Sequence, residues 1–149
     1  MSINVADIVA HNKFGLDIDG IECVVLTVSG ISSTVESSVL QSVDKAGMAQ
    51  NLNFISNSNA QHPDITASRV VDGDTAWWDW HKMAKDGDVE GAKKNGSVFF
   101  YPTKGDSAKM TFNFTNAIPK GYSIDGLDAN SNSNTTETIT FSVETLDLA

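Results

Sequence analysis

The stretch Lys109-Met110-Thr111-Phe112-Asn113-Phe114-Thr115 alternates polar and apolar residues without a break, and Thr138-Ile139-Thr140-Phe141-Ser142-Val143-Glu144 repeats the pattern near the end of the sequence. Successive side chains of a β-strand point to opposite faces of a sheet, so alternation with period two predicts a strand with one apolar face. Both segments are therefore expected to cover a hydrophobic core on one side and to face solvent on the other.

Further strands are predicted on both sides of these two. Phe14 to Asp19 alternates in the same way, and Asp19-Gly20 suits a tight hairpin turn before the apolar run Ile21 to Val28. Ile65 to Val71 and Ser97 to Tyr101 read as two more strands. Many short strands separated by turn signals predict a mainly β domain, either an antiparallel sandwich or a small barrel.

A long hairpin is predicted from Ser37 to Ser56. Two strand-like segments lie there on either side of the turn candidate Asp44-Lys45-Ala46-Gly47, and they are poor in charged residues. An isolated two-stranded hairpin is marginal in water. We therefore expect this protruding hairpin to pack on its own sheet or to lie against another molecule.

One α-helix is predicted, beginning after Asp74 or Thr75 as the capping residue and ending near Lys85. At 3.6 residues per turn, one face of this helix is apolar and is expected to face the core. That face consists of Ala76, Trp77, Trp80, Met83 and Ala84.

Trp78 lies about 100° around the helix from Trp77, away from the core face. Two explanations for an apolar residue at this position stay open: a strand or loop of the same subunit covers it, or a neighbouring subunit does. Buried aromatic residues dominate protein interfaces. Trp78 is therefore a candidate for an assembly contact.

Length and charge limit the classes of function. With 149 residues the sequence fits a single domain, 1–149, large enough to bury a core without disulfides or metals. Its formal charge of -9 repels nucleic acid and anionic lipid, which argues against a groove that grips DNA. No apolar run approaches the roughly 20 residues that span a bilayer, so a soluble protein with no membrane partner is expected.

The sequence offers no constellation for catalysis. His11, His62 and His81 have no spacing that places two of them on one helix face, and Cys23 alone cannot complete a zinc site. Cys23 lies in an apolar run, where a buried, inert thiol is expected. Neither a Gly-rich phosphate loop nor a nucleophile elbow occurs. The prediction is a protein that is not an enzyme, with no catalytic residues, no metal and no cofactor.

Three groups of motifs follow one another along the sequence. They are Lys13-Phe14-Gly15-Leu16-Asp17-Ile18-Asp19-Gly20-Ile21 with Val28-Ser29-Gly30-Ile31; Pro63-Asp64-Ile65-Thr66-Ala67-Ser68-Arg69 with Gly73-Asp74 and Trp77-Trp78-Asp79-Trp80; and Phe112-Asn113-Phe114-Thr115-Asn116-Ala117-Ile118-Pro119-Lys120-Gly121-Tyr122 with Glu137-Thr138-Ile139-Thr140-Phe141. Their order resembles the tail tube protein family of contractile-tailed phages, whose members also serve as inner tubes of related contractile injection systems. The sequence departs from the family between Ser56 and His62, where Asn-Ser-Asn-Ala-Gln replaces the usual approach with Gly and Pro.

The resemblance implies a β-sandwich or barrel-like subunit, six of which join their sheets into a hexameric ring. Rings then stack into a hollow tube that conducts DNA into the host cell, and DNA passes without specific binding. Sheath, baseplate and tail-terminator proteins are the implied partners. The implied location is the tail of the virion, assembled in the cytoplasm of the bacterial host.

The same resemblance gives candidate residues for assembly. Part of the long hairpin is expected to lie against neighbouring subunits, through Val39, Val43, Met48, Leu52 and Phe54. Acidic candidates for the channel wall are Asp17, Asp19 and Glu22, because the first hairpin offers one polar face. Carboxylates facing the channel would repel DNA and leave it hydrated.

Two other functions fit the sequence. The first is the inner tube of a contractile injection or secretion system, which delivers protein in place of DNA. The second is a β-sandwich carbohydrate-binding module that uses Trp78 with nearby Asn and Asp side chains. The second predicts a monomer that binds glycans, whereas both tube functions predict rings and polymers.

Overall fold

The computed structural model describes residues 8–35, 37–43, 46–55, 62–105, 107–130 and 133–149. The strands of this part of the chain are β1 (Val9–Ile18), β2 (Ile21–Cys23), β3 (Thr27–Ser29), β4 (Ser37–Val43), β5 (Ala49–Ile55), β6 (Ile65–Val70), β7 (Lys94–Pro102), β8 (Met110–Ile124), β9 (Thr136–Ser142) and β10 (Thr145–Leu148), and its helices are α1 (Ala76–Lys85) and α2 (Val89–Ala92). Neither helix is long and apolar enough to cross a membrane.

Eight of the strands form one antiparallel sheet in the order β2-β1-β7-β8-β9-β6-β3, with β10 paired to β8. Strands β2 and β3 follow each other in the chain but stand at opposite ends of this order. The four residue steps from Cys23 to Thr27 span at most about 14 Å. The two ends of the sheet are therefore close together, and the sheet curls round into a barrel-like fold, one of the two folds that the sequence predicts.

Strand β8 connects two layers of this fold. Its first part, residues 110–117, pairs with β7, and its second part, residues 118–124, pairs with β9. Asn116 has a left-handed backbone (φ 51°), and the register with β9 shifts between Pro119 and Gly121. Such irregularities bend a strand. Strand β8 thus belongs to a five-stranded layer with β2, β1, β7 and β10, and to a four-stranded layer with β9, β6 and β3.

The apolar faces of the two layers meet in the core. Its largest fully buried side chains are Phe114, Phe141, Leu16, Ile65, Ile139 and Val98. The ring centroids of Phe114 and Phe141 are 5.4 Å apart, which joins the two segments whose alternation predicted strands. In both segments the polar residues that alternate with the buried side chains are less buried.

The prediction of one strand from Ile21 to Val28 is wrong. The chain leaves the edge of β1 after Cys23 and joins the edge of β6 at Thr27, so the run forms two short strands on different partners. Val24 lies in the crossing between them and is 90% exposed. The crossing follows from the curl of the sheet, which sequence alternation does not report.

Helix α1 begins after Thr75, as predicted, but the capping hydrogen bond comes from Asp74, whose Oδ1 accepts from the backbone N–H of Ala76 at 3.0 Å. Trp77 and Trp80 are buried in the core. Two other members of the predicted core face, Ala76 and Met83, are exposed. Only the middle of that helix face is covered by the sheet.

The expectation of a single helix is wrong, because α2 follows α1 closely. Asp88 caps this short helix by accepting a hydrogen bond from the backbone N–H of Gly91 at 3.0 Å. The carbonyl of Ala92 at its end accepts a hydrogen bond from Trp80 Nε1 at 2.6 Å. One helical turn is too short to show a 3.6-residue period, which is why the sequence pattern missed it.

Candidate assembly surfaces

The outer face of the five-stranded layer carries a polar row. In the sheet register, Glu22 lies opposite Asp17, Asp17 opposite Ser97, Ser97 opposite Asn113, and Asn113 opposite Asp147. Directly opposed residues point to the same face of a sheet. The hydroxyl of Ser97 donates to Asn113 Oδ1 at 2.6 Å, which joins the middle of the row. Three carboxylates thus share one solvent-facing surface of the barrel.

The predicted channel residues lie on or next to this row. Asp17 and Glu22 are direct cross-strand neighbours, as expected for one polar face of the first hairpin. Asp19 occupies the turn with a left-handed backbone (φ 58°), followed by Gly20 (φ 78°). Its Oδ2 lies 3.3 Å from Lys94 Nζ, so part of its negative charge is balanced by that ammonium group.

The sequence reasoning missed a lysine cluster on the same layer. Lys13 and Lys109 adjoin the paired residues Phe14, Phe100 and Met110 of β1, β7 and β8. Lys13 Nζ donates to the carbonyl of Gly105 at 3.4 Å, in the loop that follows Lys104. The positions are far apart in sequence, so no charge run indicated the cluster.

The β4–β5 hairpin forms a two-stranded sheet of its own, in the register Ser37 opposite Ile55 to Val43 opposite Ala49. Within the described residues it pairs with no strand of the barrel. Val39 and Met48 are 60% and 64% exposed. The side chains of Val43, Leu52 and Phe54 lie outside the described part of the structure, so their place at a subunit interface stays a prediction.

Trp78 is partly covered by its own subunit. Its ring lies 5.3 Å from that of Tyr122 on β8 and 5.8 Å from that of His81, measured between ring centroids. Lys85 Nζ lies 5.7 Å from the centroid of the same ring. Trp78 nevertheless remains 39% exposed. A surface of its own chain therefore accounts for one side of Trp78 and leaves the other side available.

A buried charge network connects this aromatic group to the interior. Arg69 on β6 and Glu137 on β9 are opposed in register, and Arg69 Nε donates to Glu137 Oε1 at 2.5 Å. The other carboxylate oxygen, Oε2, accepts a hydrogen bond from the hydroxyl of Tyr122. Arg69 also lies over the ring of Trp77 at 4.4 Å and within 3.4 Å of Asp74 Oδ2. The network fixes the start of α1 to three strands.

The environment shifts the acid–base properties of this network. Burial lowers the pKa of Arg69. The hydrogen bond and the charge of Glu137 raise this pKa by more than burial lowers it, so the net direction is upward. Burial, with the hydrogen bond and charge of Glu137, raises the pKa of Tyr122 to about 12. The sequence carried a signal for the pair, because Arg69 and Glu137 fall on the apolar positions of their alternating strands.

Cys23 is only partly buried, in contrast to the expectation of a buried thiol. Burial nevertheless raises its pKa, which disfavours the reactive thiolate. In the part of the chain that the structure describes, no group of three or more His, Cys, Asp or Glu side chains could hold a metal ion.

Comparisons with known proteins place this fold. Among solved structures, a chain of the sheath–tube complex of an extracellular contractile injection system, PVC, in the extended state is 22% identical with a TM-score of 0.74, over 95% of this chain and 91% of that one. A chain of the tube-terminating cap of the anti-feeding prophage, AFP, is 21% identical with a TM-score of 0.75, and the match covers 100% of this chain and 95% of that one. Hcp1 from Flavobacterium johnsoniae is 22% identical with a TM-score of 0.57, over 91% and 94%.

These likenesses show a shared fold. No curated protein sequence matches the chain. The family comparison defines the class of protein, a structural protein of the tail-tube class. A model of the family described as T4-like virus tail tube protein gp19 matches residues 10–147, and the chain belongs to that family. The expected family is thereby confirmed, and it is a family of structural tube proteins.

Proposed function

We propose that this chain is the repeating subunit of a tail tube: six copies join their sheets into a ring, and rings stack into a hollow tube that conducts DNA into a host cell. The observation that carries this proposal is the family match over residues 10–147, together with a curled sheet whose end strands, β2 and β3, each pair with one strand among the described residues. Edge strands invite pairing with another chain. Pairing around a closed ring satisfies every edge in the same way.

The hairpin and Trp78 supply further subunit contacts in this proposal. Val39 and Met48 expose apolar surface on a hairpin that, in the part of the chain that the structure describes, pairs with no strand of the barrel. Covering them with a neighbouring subunit removes that surface from water, at about 25 cal/mol per Å² of apolar area. Val43, Leu52 and Phe54 belong to the same proposed contact, and Trp78 to a second one.

The outer face of the five-stranded layer lines the channel. Asp17, Asp19 and Glu22 lie on this face or at its end, where their carboxylates repel the phosphates of passing DNA. Binding to DNA releases counterions only when lysine or arginine neutralises phosphates. An acidic wall therefore lets DNA slide without specific binding.

The partners of the tube in this proposal are sheath, baseplate and terminator proteins. The solved structures with the same fold come from a sheath–tube complex, a sheath/tube terminator, a cap and a baseplate of contractile injection systems. The proposal puts the subunit in the tail of the virion, after assembly in the cytoplasm of the bacterial host.

A second candidate function is the inner tube of an injection system that delivers protein. It is favoured by the high TM-scores of 0.74 and 0.75 to chains of the PVC and AFP particles. The carbohydrate-binding alternative lacks such support, because Trp78 already contacts Tyr122, His81 and Lys85 and the family is structural.

The test is size-exclusion chromatography of the purified protein, combined with negative-stain electron microscopy at high concentration. Rings of six subunits, or hollow tubes built from them, are expected. A protein that stays monomeric even when mixed with a preassembled baseplate contradicts the proposal. Particles isolated from the producing bacterium then separate the two cargoes: a DNA-filled head on the tail supports DNA, and headless tubes that contain protein support the second candidate.

A further inference from the structure

We propose that Tyr122 is a positioning residue for assembly: it holds the Trp78 side chain in the orientation that a neighbouring subunit binds. Because Trp78 belongs to a subunit contact only in the proposed function, this role of Tyr122 rests on that function. Tyr122 acts on the contact through Trp78, and the structure gives the interactions by which it does so.

The phenol group of Tyr122 is fixed from the interior of the domain. Its hydroxyl donates to Glu137 Oε2, and the other carboxylate oxygen of Glu137 accepts from Arg69 Nε at 2.5 Å. Glu137 and Arg69 are both buried, so water does not compete for these hydrogen bonds. A buried network whose charged members are paired is rigid, and it restricts the position and tilt of the Tyr122 ring.

The same carboxylate also helps to position the helix that carries Trp78. The Arg69 guanidinium, which Glu137 holds, donates from Nη2 to the backbone carbonyl of Asp74 at 3.2 Å, just before the start of α1. The side chain of Asp74 caps that helix. Glu137 therefore ties both the start of α1 and the ring of Tyr122 to the sheet. The separation between the Trp78 backbone and the Tyr122 ring is fixed as a result.

On its other side the Tyr122 ring belongs to an aromatic cluster with two side chains of α1. It makes an edge contact with Trp78, with ring centroids 5.3 Å apart and planes at 63°, and it stacks on His81 at 6.3 Å and 24°. Trp78 and His81 are three residues apart and are therefore neighbours on the helix surface, with ring centroids 5.8 Å apart. Edge and stacked ring pairs favour particular orientations. The cluster thus restricts the tilt of the Trp78 indole.

Lys85 adds a further restraint on the Trp78 indole. Its Nζ lies 5.7 Å from the centroid of the indole ring, within the range of a cation–π interaction. The side chain of Trp78 is nevertheless 39% exposed. Trp78 is therefore held by its own subunit while it still presents apolar surface to a second copy.

Fixing Trp78 before assembly lowers the entropic cost of the contact. An unrestrained side chain loses rotamer freedom when a contact forms, which weakens binding roughly two- to tenfold for each such side chain. A Trp78 side chain already held by Tyr122 avoids most of that loss. Tyr122 therefore strengthens the subunit contact by orienting Trp78.

The first experiment follows Trp78 in the unassembled subunit by fluorine NMR of protein labelled with fluorotryptophan. The chain has three tryptophans, and Trp78→Phe identifies the resonance of Trp78. Tyr122→Leu should move that resonance toward the position of free fluorotryptophan, whereas the resonances of Trp77 and Trp80 should stay in place and report an intact core. Tyr101→Leu changes the other tyrosine of the chain, on β7, and is the matched control that should shift none of the three.

The second experiment measures, by sedimentation, the protein concentration at which half of the subunits are in rings. Tyr122→Leu should raise this concentration roughly two- to tenfold, and Tyr101→Leu should leave it unchanged. In a Trp78→Ala background, Tyr122→Leu should change it by less than about twofold, because a residue that acts through Trp78 has no further effect once Trp78 is gone. Tyr122→Phe keeps the ring and loses the hydrogen bond to Glu137, so its effect should be smaller than that of Tyr122→Leu.

The outcomes separate this role of Tyr122 from the tube function. An equal loss of assembly from Tyr122→Leu with and without Trp78 overturns an action through Trp78 while the tube function stands. An unmoved Trp78 resonance in folded Tyr122→Leu overturns the positioning role as well. If Tyr122→Leu does not fold, Tyr122→Phe is measured in the same two experiments and judged in the same way. If the unmodified protein gives no rings even on a preassembled baseplate, the proposed function itself falls.

Discussion

Arg69 and Glu137 face each other across strands β6 and β9, and their side chains form an ion pair of 2.5 Å between Nε and Oε1 in the interior of the domain. Arg69 is 7% exposed and Glu137 is 3% exposed. Two charges in such a place are tolerated only because each satisfies the other and because Tyr122, Asp74 and Trp77 complete their contacts.

Removing one member of this pair should destabilise the fold strongly. Glu137→Gln leaves the buried Arg69 guanidinium with only the exposed carboxylate of Asp74, 3.4 Å away, as a counter-charge, and the free energy of unfolding should fall by about 3–5 kcal/mol. Chemical denaturation followed by circular dichroism measures this. Glu144→Gln is the matched control, because Glu144 is exposed and its loss should cost at most about 0.5 kcal/mol. Equal effects of the two substitutions would refute a structural role for the buried pair.

Tyr122 should make stability fall at alkaline pH. Its pKa is raised from 10.0 to about 12 in the folded protein. The contribution of the Tyr122 hydroxyl to the free energy of unfolding is therefore fully present below pH 10 and is lost as pH rises through about 12. Denaturation curves between those pH values measure the loss. Tyr122→Phe removes the titrating hydroxyl, and its curve should fall less steeply with pH than that of the unmodified protein. Parallel curves for the two proteins would contradict the shift.

Trp78→Ala should impair assembly more than folding. Part of the Trp78 indole is exposed, so the subunit with alanine at this position should keep its circular dichroism spectrum and lose only about 1 kcal/mol of stability. A proposed interface anchor, by contrast, should cost at least about 2 kcal/mol per contact when truncated. Size exclusion should then show fewer rings for Trp78→Ala and normal rings for Trp78→Phe. Normal ring assembly by Trp78→Ala would remove Trp78 from the interface.

Charges placed on the hairpin should block contacts between subunits. Val39→Asp with Met48→Asp places two carboxylates where apolar surface is exposed, so the melting temperature of the monomer should change little. Rings or tubes should become scarce in electron micrographs. Asn130→Asp adds a single charge in an exposed loop and serves as the control, with assembly expected to stay normal. Unimpaired assembly of the hairpin variant would show that this hairpin is solvent-exposed in the tube.

Much of the local structure could be predicted from sequence because burial leaves a local period. The alternation around Phe114 and Phe141 placed both side chains in the core, and the helical period placed Trp77 and Trp80 there. The Ser29-Gly30 motif has two causes, a local backbone angle and a close contact with a distant part of the chain. Gly30 has φ 93°, and a Cβ at this position would lie 2.2 Å from the carbonyl oxygen of Asp64.

The remaining features required knowledge of which strands are neighbours. The run from Ile21 to Val28 reads as one strand until the curl of the sheet divides it between β1 and β6. The helix α2 is too short to show a period. Exposed faces such as the one with Asp17 and Asp147 combine residues from five strands, and no segment of sequence contains the row.

The sequence by itself determined the strand-rich character, the position of α1, the polar and apolar faces of the main strands, and the motif order of the tail tube family. These are properties of consecutive residues, which share one backbone period. Only the tertiary structure decided that β2 and β3 stand at opposite ends of one sheet and that Arg69 meets Glu137. Those relationships depend on strand order and register, which join residues too far apart in the chain for any local pattern to encode.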